Sequence, residues 1–302
     1  MSKKRIFTIY LAAFLLIGII PSTLAQNNSE KRKPDELLIS NKKKRKLRPA
    51  YINIGMGVNS SYFRDFATSP LFYNGNVLQV SFSKLRKDYY RETEFGFSYD
   101  FGNYQATFND NITNSQVKKV ELFYSRLYNF KKLSSNSFNT KIGFQVNSNG
   151  NLRVNEELQN NALGIEIFNN LLGSIKVTKD ISRKQTKEKK IWFIKYKLNE
   201  KKRELAFRLN MGIINSALRN GYIYGNQSGV LNSPKIFDRY EYKLFSGIRM
   251  GSRLDYTRFL KNKNAIQFSY IWDAYKTGGE LDVFEMAHHT FRFTFLFNTN
   301  NQ

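Results

Sequence analysis

From Ala50 onward, apolar and polar residues alternate along the chain with a period of two. In YINIGMGVN (51–59), isoleucine, methionine and valine occupy the even positions, with polar residues, tyrosine and glycine between them. In FRFTFLF (291–297), phenylalanine occupies every second position, separated by Arg292, Thr294 and Leu296. Such alternation is typical of a β-strand with one apolar face. The sequence therefore predicts an all-β fold.

The alternating runs predict about ten antiparallel strands in an up-and-down arrangement. These lie at 51–61, 76–85, 89–102, 116–130, 138–148, 188–198, 204–216, 240–258, 264–276 and 288–298. The stretch 163–184 alternates too irregularly to assign. It either extends the sixth strand or supplies an extra hairpin, which would raise the count to twelve.

The predicted connections differ in length on the two sides of the sheet. Short basic turns at 84–88, 131–137, 198–204 and 260–264 interleave with longer polar segments at 61–75, 103–115, 149–162, 217–238 and 277–287. A membrane barrel has short turns on one side and long loops on the other. We therefore expect long extracellular loops.

The N-terminus has the layout of a cleavable secretory signal. A basic head at 3–5 precedes an apolar run at 6–20, and the small residue Ala25 follows at the expected cleavage point. The run is short for a spanning helix of about 20 residues, so an uncleaved anchor is the weaker alternative. The predicted organisation is a signal peptide at 1–25, a flexible basic periplasmic tail at 26–49 and a barrel at 50–302.

The charge balance is strongly basic, with 48 Lys and Arg against 24 Asp and Glu. Removal of the signal lowers the formal charge from +24 to +21, since residues 3–5 are Lys, Lys and Arg. Export argues against a nucleic-acid partner and favours anionic lipid, lipopolysaccharide phosphates or cell-wall polymer. The basic residues between 31 and 48 either contact such a polymer or form a solvated linker. The chain has no cysteine, which excludes disulfides and thiolate metal sites.

Two fold classes explain alternating strands in an exported chain, a membrane barrel and a soluble β-sandwich. Aromatic residues make up 15% of the chain, a surplus that aromatic girdles at the membrane interfaces would use. The mean hydropathy of −0.50 fits a barrel, because a barrel strand needs apolar residues only at alternate positions. We therefore expect an antiparallel transmembrane β-barrel located in the bacterial outer membrane.

The chain resembles bacterial outer-membrane β-barrel proteins. The resemblance rests on the signal at 1–25, the alternating strands and the last strand HTFRFTFLF (289–297). It implies that the last strand is read by the barrel assembly machinery, with Phe291, Phe293, Phe295 and Phe297 as the assembly signal. Residues 298–302 follow Phe297, where the family pattern often ends on an aromatic residue.

If the aromatic faces point outward, charged residues line a narrow interior. The predicted lumen network comprises Glu92, Glu94, Asp100, Arg208, Arg249, Arg253, Asp255, Asp273 and Arg292. Buried charges must be paired or hydrated. The network therefore forms either a salt-bridged plug or the lining of a small polar pore or pocket.

The only two histidines, His288 and His289, are weak catalytic candidates near the outer end of the last strand. Strand parity turns His288 toward the lumen and His289 toward lipid or the rim. No nucleotide, metal or cofactor motif is complete, so no cofactor is predicted. The expected function is a mainly structural or interaction role. A narrow channel for small solutes is the first alternative and a membrane-embedded hydrolase the second.

Overall fold

The computed structural model describes residues 48–135, 137–161, 163–220, 240–279 and 282–299. Its strands are β1 (Ala50–Asp65), β2 (Ser69–Lys87), β3 (Arg91–Phe108), β4 (Asn111–Asn129), β5 (Phe138–Val154), β6 (Leu163–Asp180), β7 (Lys187–Ile191), β8 (Ile194–Leu198), β9 (Arg203–Asn220), β10 (Tyr240–Lys243), β11 (Ile248–Phe259), β12 (Ala265–Lys276) and β13 (Phe284–Asn298). Two 3₁₀ helices lie at Lys131–Leu133 and Glu156–Asn161. The predicted signal peptide and nearly all of the predicted tail lie outside the described residues.

The main sheet closes on itself as an antiparallel barrel of ten strands. The order around the wall is β1-β2-β3-β4-β5-β6-β9-β11-β12-β13, and β13 pairs with β1 along its full length. Every pairing is antiparallel, which confirms the predicted up-and-down barrel. Ala50 and Asn298 lie at the same end of the barrel, which we call the terminal end; the opposite end is the distal end. No helix in the described ranges is long and apolar enough to cross a membrane.

The short strand β10 and the longer β11 follow one another along the same edge of β9. Both strands pair antiparallel with β9, β10 through Ala217–Asn220 and β11 through Arg203–Met211. A four-residue interruption at 244–247 separates them, with positive φ values at Phe245 and Gly247. The predicted single strand at 240–258 is therefore wrong in this detail, because a turn at 244–245 interrupts the ladder between the two segments.

The outer surface of the barrel carries an apolar belt. Exposed outward residues include Ile54, Met56, Val58, Leu78, Val80, Phe82, Phe95, Phe97, Leu122, Phe207, Leu254, Phe268, Phe291, Phe295 and Phe297. The interior is instead lined by buried asparagine, glutamine, serine, threonine and charged side chains, apart from apolar clusters. This is the reverse of the distribution in a soluble protein.

The sixth barrel strand is β6, not the predicted strand at 188–198. Residues 188–198 instead form most of a separate two-stranded hairpin, β7–β8. The strand within 163–184 could not be predicted from alternation, because Phe168 and Leu172 face inward. Both faces of this strand are therefore partly apolar. Two interpretations of 163–184 were predicted, an extension of the sixth strand and an extra hairpin that would raise the count to twelve. Both are wrong.

Two segments predicted as long loops, 61–75 and 103–115, are mostly strand. The outward positions of β2 and β3 become polar toward the distal end, as at Asn74, Asn76, Asn103 and Gln105. Hydrophobic alternation therefore fades there while the ladder continues. The connection within 103–115 is a two-residue turn in which Asn109 and Asp110 both have positive φ. In the described part of the distal end, 61–75, 103–115 and part of 149–162 thus form extended hairpins, and 221–239 lies outside the described residues.

Candidate functional site

The charged residues predicted for the lumen occupy interior-facing positions on five strands. They are Glu92, Glu94 and Asp100 on β3, Arg208 on β9, Arg249, Arg253 and Asp255 on β11, Asp273 on β12, and Arg292 on β13. Their contacts fall into a group near the terminal end and a group at mid-height. A further layer, which the alternation did not predict, lies toward the distal end.

The terminal group consists of lysine–glutamate pairs that cross the lumen. The Glu92 carboxylate on β3 pairs with Lys176 Nζ on β6 at 2.5 Å and with Lys141 Nζ on β5 at 3.5 Å. Lys87 Nζ on β2 reaches Glu204 on β9 at 2.5 Å. All five side chains line a cavity of about 400 Å³. A polar cavity of this size has room for water, so these charges can be hydrated as well as paired.

At mid-height, Arg253 links β11 to the opposite wall. Its Nε lies 2.8 Å from the Asp255 carboxylate, and its Nη1 lies 3.9 Å from the Glu94 carboxylate on β3. The Ser269 hydroxyl donates to Asp255 at 2.6 Å. The arginine therefore has a carboxylate on either side, and the pairing ties two separated strands together.

Arg249 and Asp273 pair with each other, whereas Arg208, Arg292 and Asp100 are bonded to neutral groups. The Arg208 guanidinium donates to the Ser174 hydroxyl at 3.2 Å, and Arg292 donates to the Gln79 amide oxygen at 3.5 Å. Asp100 accepts from the Gln79 amide at 2.9 Å. The interior is thus a mixed hydrogen-bonded and ionic network rather than a set of salt bridges alone.

The two histidines face opposite sides of the wall. His288 is buried inside, with Nε2 3.6 Å from Asp273 and 3.5 Å from Lys119 Nζ. His289 faces outward, and its Nδ1 lies 2.7 Å from the Tyr270 hydroxyl oxygen. They share no site. Among the described residues, no group of three or more His, Cys, Asp or Glu side chains is arranged to hold a metal ion.

An ionic cluster lies toward the distal end and comprises Asp65, Arg153, Glu166 and Arg219, which we call the arginine–carboxylate cluster. Asp65 on β1 pairs with Arg153 from β5 and Arg219 from β9, and Arg153 also pairs with Glu166 on β6. All four residues are at most 7% exposed. Two positive and two negative charges are thereby neutralised inside the barrel.

Six buried rings pack against this cluster, and we call them the aromatic layer. They are Phe63, Tyr73, Tyr104, Phe168, Tyr275 and Phe284. The Phe284 ring is central, with centroids of Phe63, Phe168 and Tyr275 at 6.1, 5.5 and 5.8 Å. The Arg219 guanidinium lies 5.2 Å from the Phe284 centroid. The rings come from β1, β2, β3, β6, β12 and β13, and they form a buried apolar layer across the lumen.

This layer was not predicted from the sequence, because Asp65, Phe63 and Tyr104 fall in segments that were predicted as long loops. A usable signal was present in the sequence. Phe63 and Asp65 keep the inward parity of Tyr51, Asn53 and the later odd positions of β1. Extending the alternation past the apolar belt would have placed both side chains inside the barrel.

A closed antiparallel barrel with an apolar outer belt and a polar interior is the architecture of outer-membrane β-barrels. The four phenylalanines predicted as the assembly signal lie on β13, the strand that closes this barrel against β1. Phe291, Phe295 and Phe297 are exposed on the outer face, and Phe293 packs between neighbouring rings of that face.

No family model matches the chain, and no curated protein matches it in sequence. Similar solved structures include the outer membrane protease OmpT from Escherichia coli, with 8% identity, coverage of 83% of this chain and 96% of that chain, and a TM-score of 0.47. The transport unit of the autotransporter AIDA-I from Escherichia coli shows 6% identity, coverage of 94% and 96%, and a TM-score of 0.41. The translocator domain of the autotransporter NalP from Neisseria meningitidis shows 7% identity, coverage of 98% and 99%, and a TM-score of 0.33. These are likenesses to other barrels and assign no activity to this chain.

Proposed function

We propose that the protein is a closed barrel of the bacterial outer membrane with a structural or interaction role. The observation that carries the proposal is the aromatic layer, which fills the lumen with rings that are at most 6% exposed. A solute would have to displace these packed rings to pass. The extended distal hairpins form the surface offered to a partner outside the cell.

Contacts across the lumen at and beside the aromatic layer support the same conclusion. Asn151 on β5 donates to the Tyr275 hydroxyl on β12 at 3.1 Å, and Lys119 on β4 contacts His288 on β13 at 3.5 Å. Opposite walls are therefore joined by polar side chains next to the aromatic layer as well as by its rings. A narrow channel would need a continuous hydrated path, whereas the 400 Å³ cavity lies on the terminal side of the aromatic layer.

Conductance across a planar bilayer tests the closed barrel. We expect the wild-type protein to be silent and Phe284→Ala to open transiently, because removal of the central ring leaves a void across the layer. Phe268→Ala is the matched control, since Phe268 is 54% exposed on the outer face and should stay silent. Steady wild-type conductance would favour the channel alternative. A folded but silent Phe284→Ala variant would show that the layer does not close the barrel.

The proposal extends to location and assembly. The belt would contact phospholipid and lipopolysaccharide, the 26–49 tail would lie in the periplasm, and the barrel assembly machinery would read the β13 phenylalanines. Heat-modifiable gel migration of the outer-membrane fraction tests the location. A mature protein that stays soluble in buffer without detergent would contradict it.

A further inference from the structure

The β7–β8 hairpin extends the β6–β9 pair beyond the terminal end of the barrel. The ladder continues past Asp180 through a bond from Ile181 N to Arg203 O at 3.0 Å and a bridge between Arg183 and Lys201. Within the described ranges, β7 and β8 pair only with each other. Two strands without a third neighbour are marginally stable in water, so a surface that covers this hairpin would stabilise it.

The tip of the hairpin presents two aromatic rings to its surroundings. Trp192 is 87% exposed and Phe193 is 80% exposed, with ring centroids 6.5 Å apart. Trp192 also has a φ of +54°, a conformation that two-residue hairpin turns usually assign to Asn, Asp or Gly. Strained backbone of this kind concentrates at functional positions. A buried core does not explain these rings, since neither is buried.

The hairpin and its connections are strongly basic. Between residues 181 and 202 the sequence holds nine Lys or Arg and two Glu, and the four residues of the tip, 191–194, are Ile, Trp, Phe and Ile. Lys184, Lys190 and Lys197 are exposed. The segment therefore combines an apolar aromatic end with cationic flanks.

We propose that this hairpin docks on an anionic phospholipid bilayer, with its aromatic tip in the interface and its lysines near the headgroup phosphates. Tryptophan favours the membrane–water interface, and lysine can keep its ammonium in water while its stem lies along apolar surface. Clustered cations bind anionic lipid surfaces. The strands place the tip at most roughly 40 Å beyond Asp180, at about 3.3 Å per residue. This role is independent of whether the barrel conducts.

The chain is well suited to a fluorescence test, because Trp192 and Trp272 are its only tryptophans. Trp272→Phe leaves Trp192 as the reporter in protein reconstituted into phosphatidylcholine vesicles with or without phosphatidylglycerol. We expect phosphatidylglycerol to shift Trp192 emission to the blue, to allow quenching by brominated lipid and to reduce quenching by acrylamide. High salt should reverse these changes, since salt screens exposed charges.

Three further variants separate charge from folding and from reconstitution. Replacing Lys184, Lys190 and Lys197 with Gln should abolish the effect of phosphatidylglycerol, whereas Arg at the same positions should retain it. Trp192→Phe leaves Trp272 on the outer belt, where brominated lipid should quench it in both vesicle types if reconstitution has succeeded. Equal acrylamide quenching of Trp192 with and without phosphatidylglycerol would overturn the proposal. Protection of Trp192 by polyglutamate instead of by anionic vesicles would identify an acidic protein surface as the occupant and also overturn it.

Discussion

The distal and terminal halves of the barrel are filled in physically different ways. In the distal half, the arginine–carboxylate cluster is embedded among aromatic rings, and Asp65 is 1% exposed. In the terminal half, lysines and glutamates face a cavity of about 400 Å³. Both halves contain opposite charges in contact, but the terminal charges line a cavity with room for water, whereas the distal charges pack among aromatic rings.

The difference implies that ion pairs within one barrel can contribute very differently to its free energy of unfolding. A charge left alone in a dry site has no solvent to replace its lost partner. A charge left alone beside a hydrated cavity is partly solvated by water. Removing one carboxylate from each half therefore measures the environment as well as the pair.

The largest effect is expected for Asp65→Asn. This change leaves Arg153 and Arg219 without the carboxylate that both contact. Breaking a buried ion pair costs about 3–5 kcal/mol, and the free energy of unfolding in urea should fall by this amount. A loss below about 1 kcal/mol, the range of exposed pairs, would show that water reaches the distal cluster.

A smaller loss is expected for Glu92→Gln in the terminal half. Lys141 and Lys176 lose their shared carboxylate, yet both line the cavity. Water can solvate the two ammonium groups, so we expect a loss of about 1.5–3 kcal/mol, the range for hydrogen bonds to charged groups. The same urea titration measures it. A loss equal to that of Asp65→Asn would remove the distinction between the halves.

The smallest loss is expected for Glu204→Gln. The side chains of Glu204 and its partner Lys87 are each 20% exposed, so solvent competes with their pairing. We expect a loss of about 0.2–1 kcal/mol that shrinks further as salt is added. Unfolding measured at low and high ionic strength checks both points. A salt-independent loss would indicate that this pair is screened from solvent.

The sequence predicted the barrel well because the belt imposes a period of two wherever strands cross it. Its errors occur where this constraint ends. Past the belt, outward residues such as Asn76 and Asn103 need not be apolar, so strand continued where loop was predicted. In β6, inward Phe168 served the aromatic layer and blurred the alternation. The hydrophobic pattern of a strand depends on what each of its faces contacts. Beyond the belt, near the distal end, those contacts are different, so the pattern changes although the strand continues.

The sequence predicts which charged residues face the interior, but it does not predict which residues they contact. Strand parity places Arg249 and Asp273 inside, and they form a pair across adjacent strands. The same parity places Arg208 and Arg292 inside, yet these donate to neutral side chains. Partners depend on register and on the separation of opposite walls, which no local pattern in the sequence encodes.

The accessibility of one strand at two heights tests the central claim most directly. Ala206 and Ala217 both lie on the interior face of β9, one beside the terminal cavity and the other within the aromatic layer. The chain contains no cysteine, so Ala206→Cys and Ala217→Cys each introduce a single thiol. We expect a small water-soluble thiol reagent to label residue 206 in the folded protein and residue 217 only after unfolding. Equal labelling of the two folded variants would contradict a barrel that is hydrated at one end and closed by a dry layer at the other.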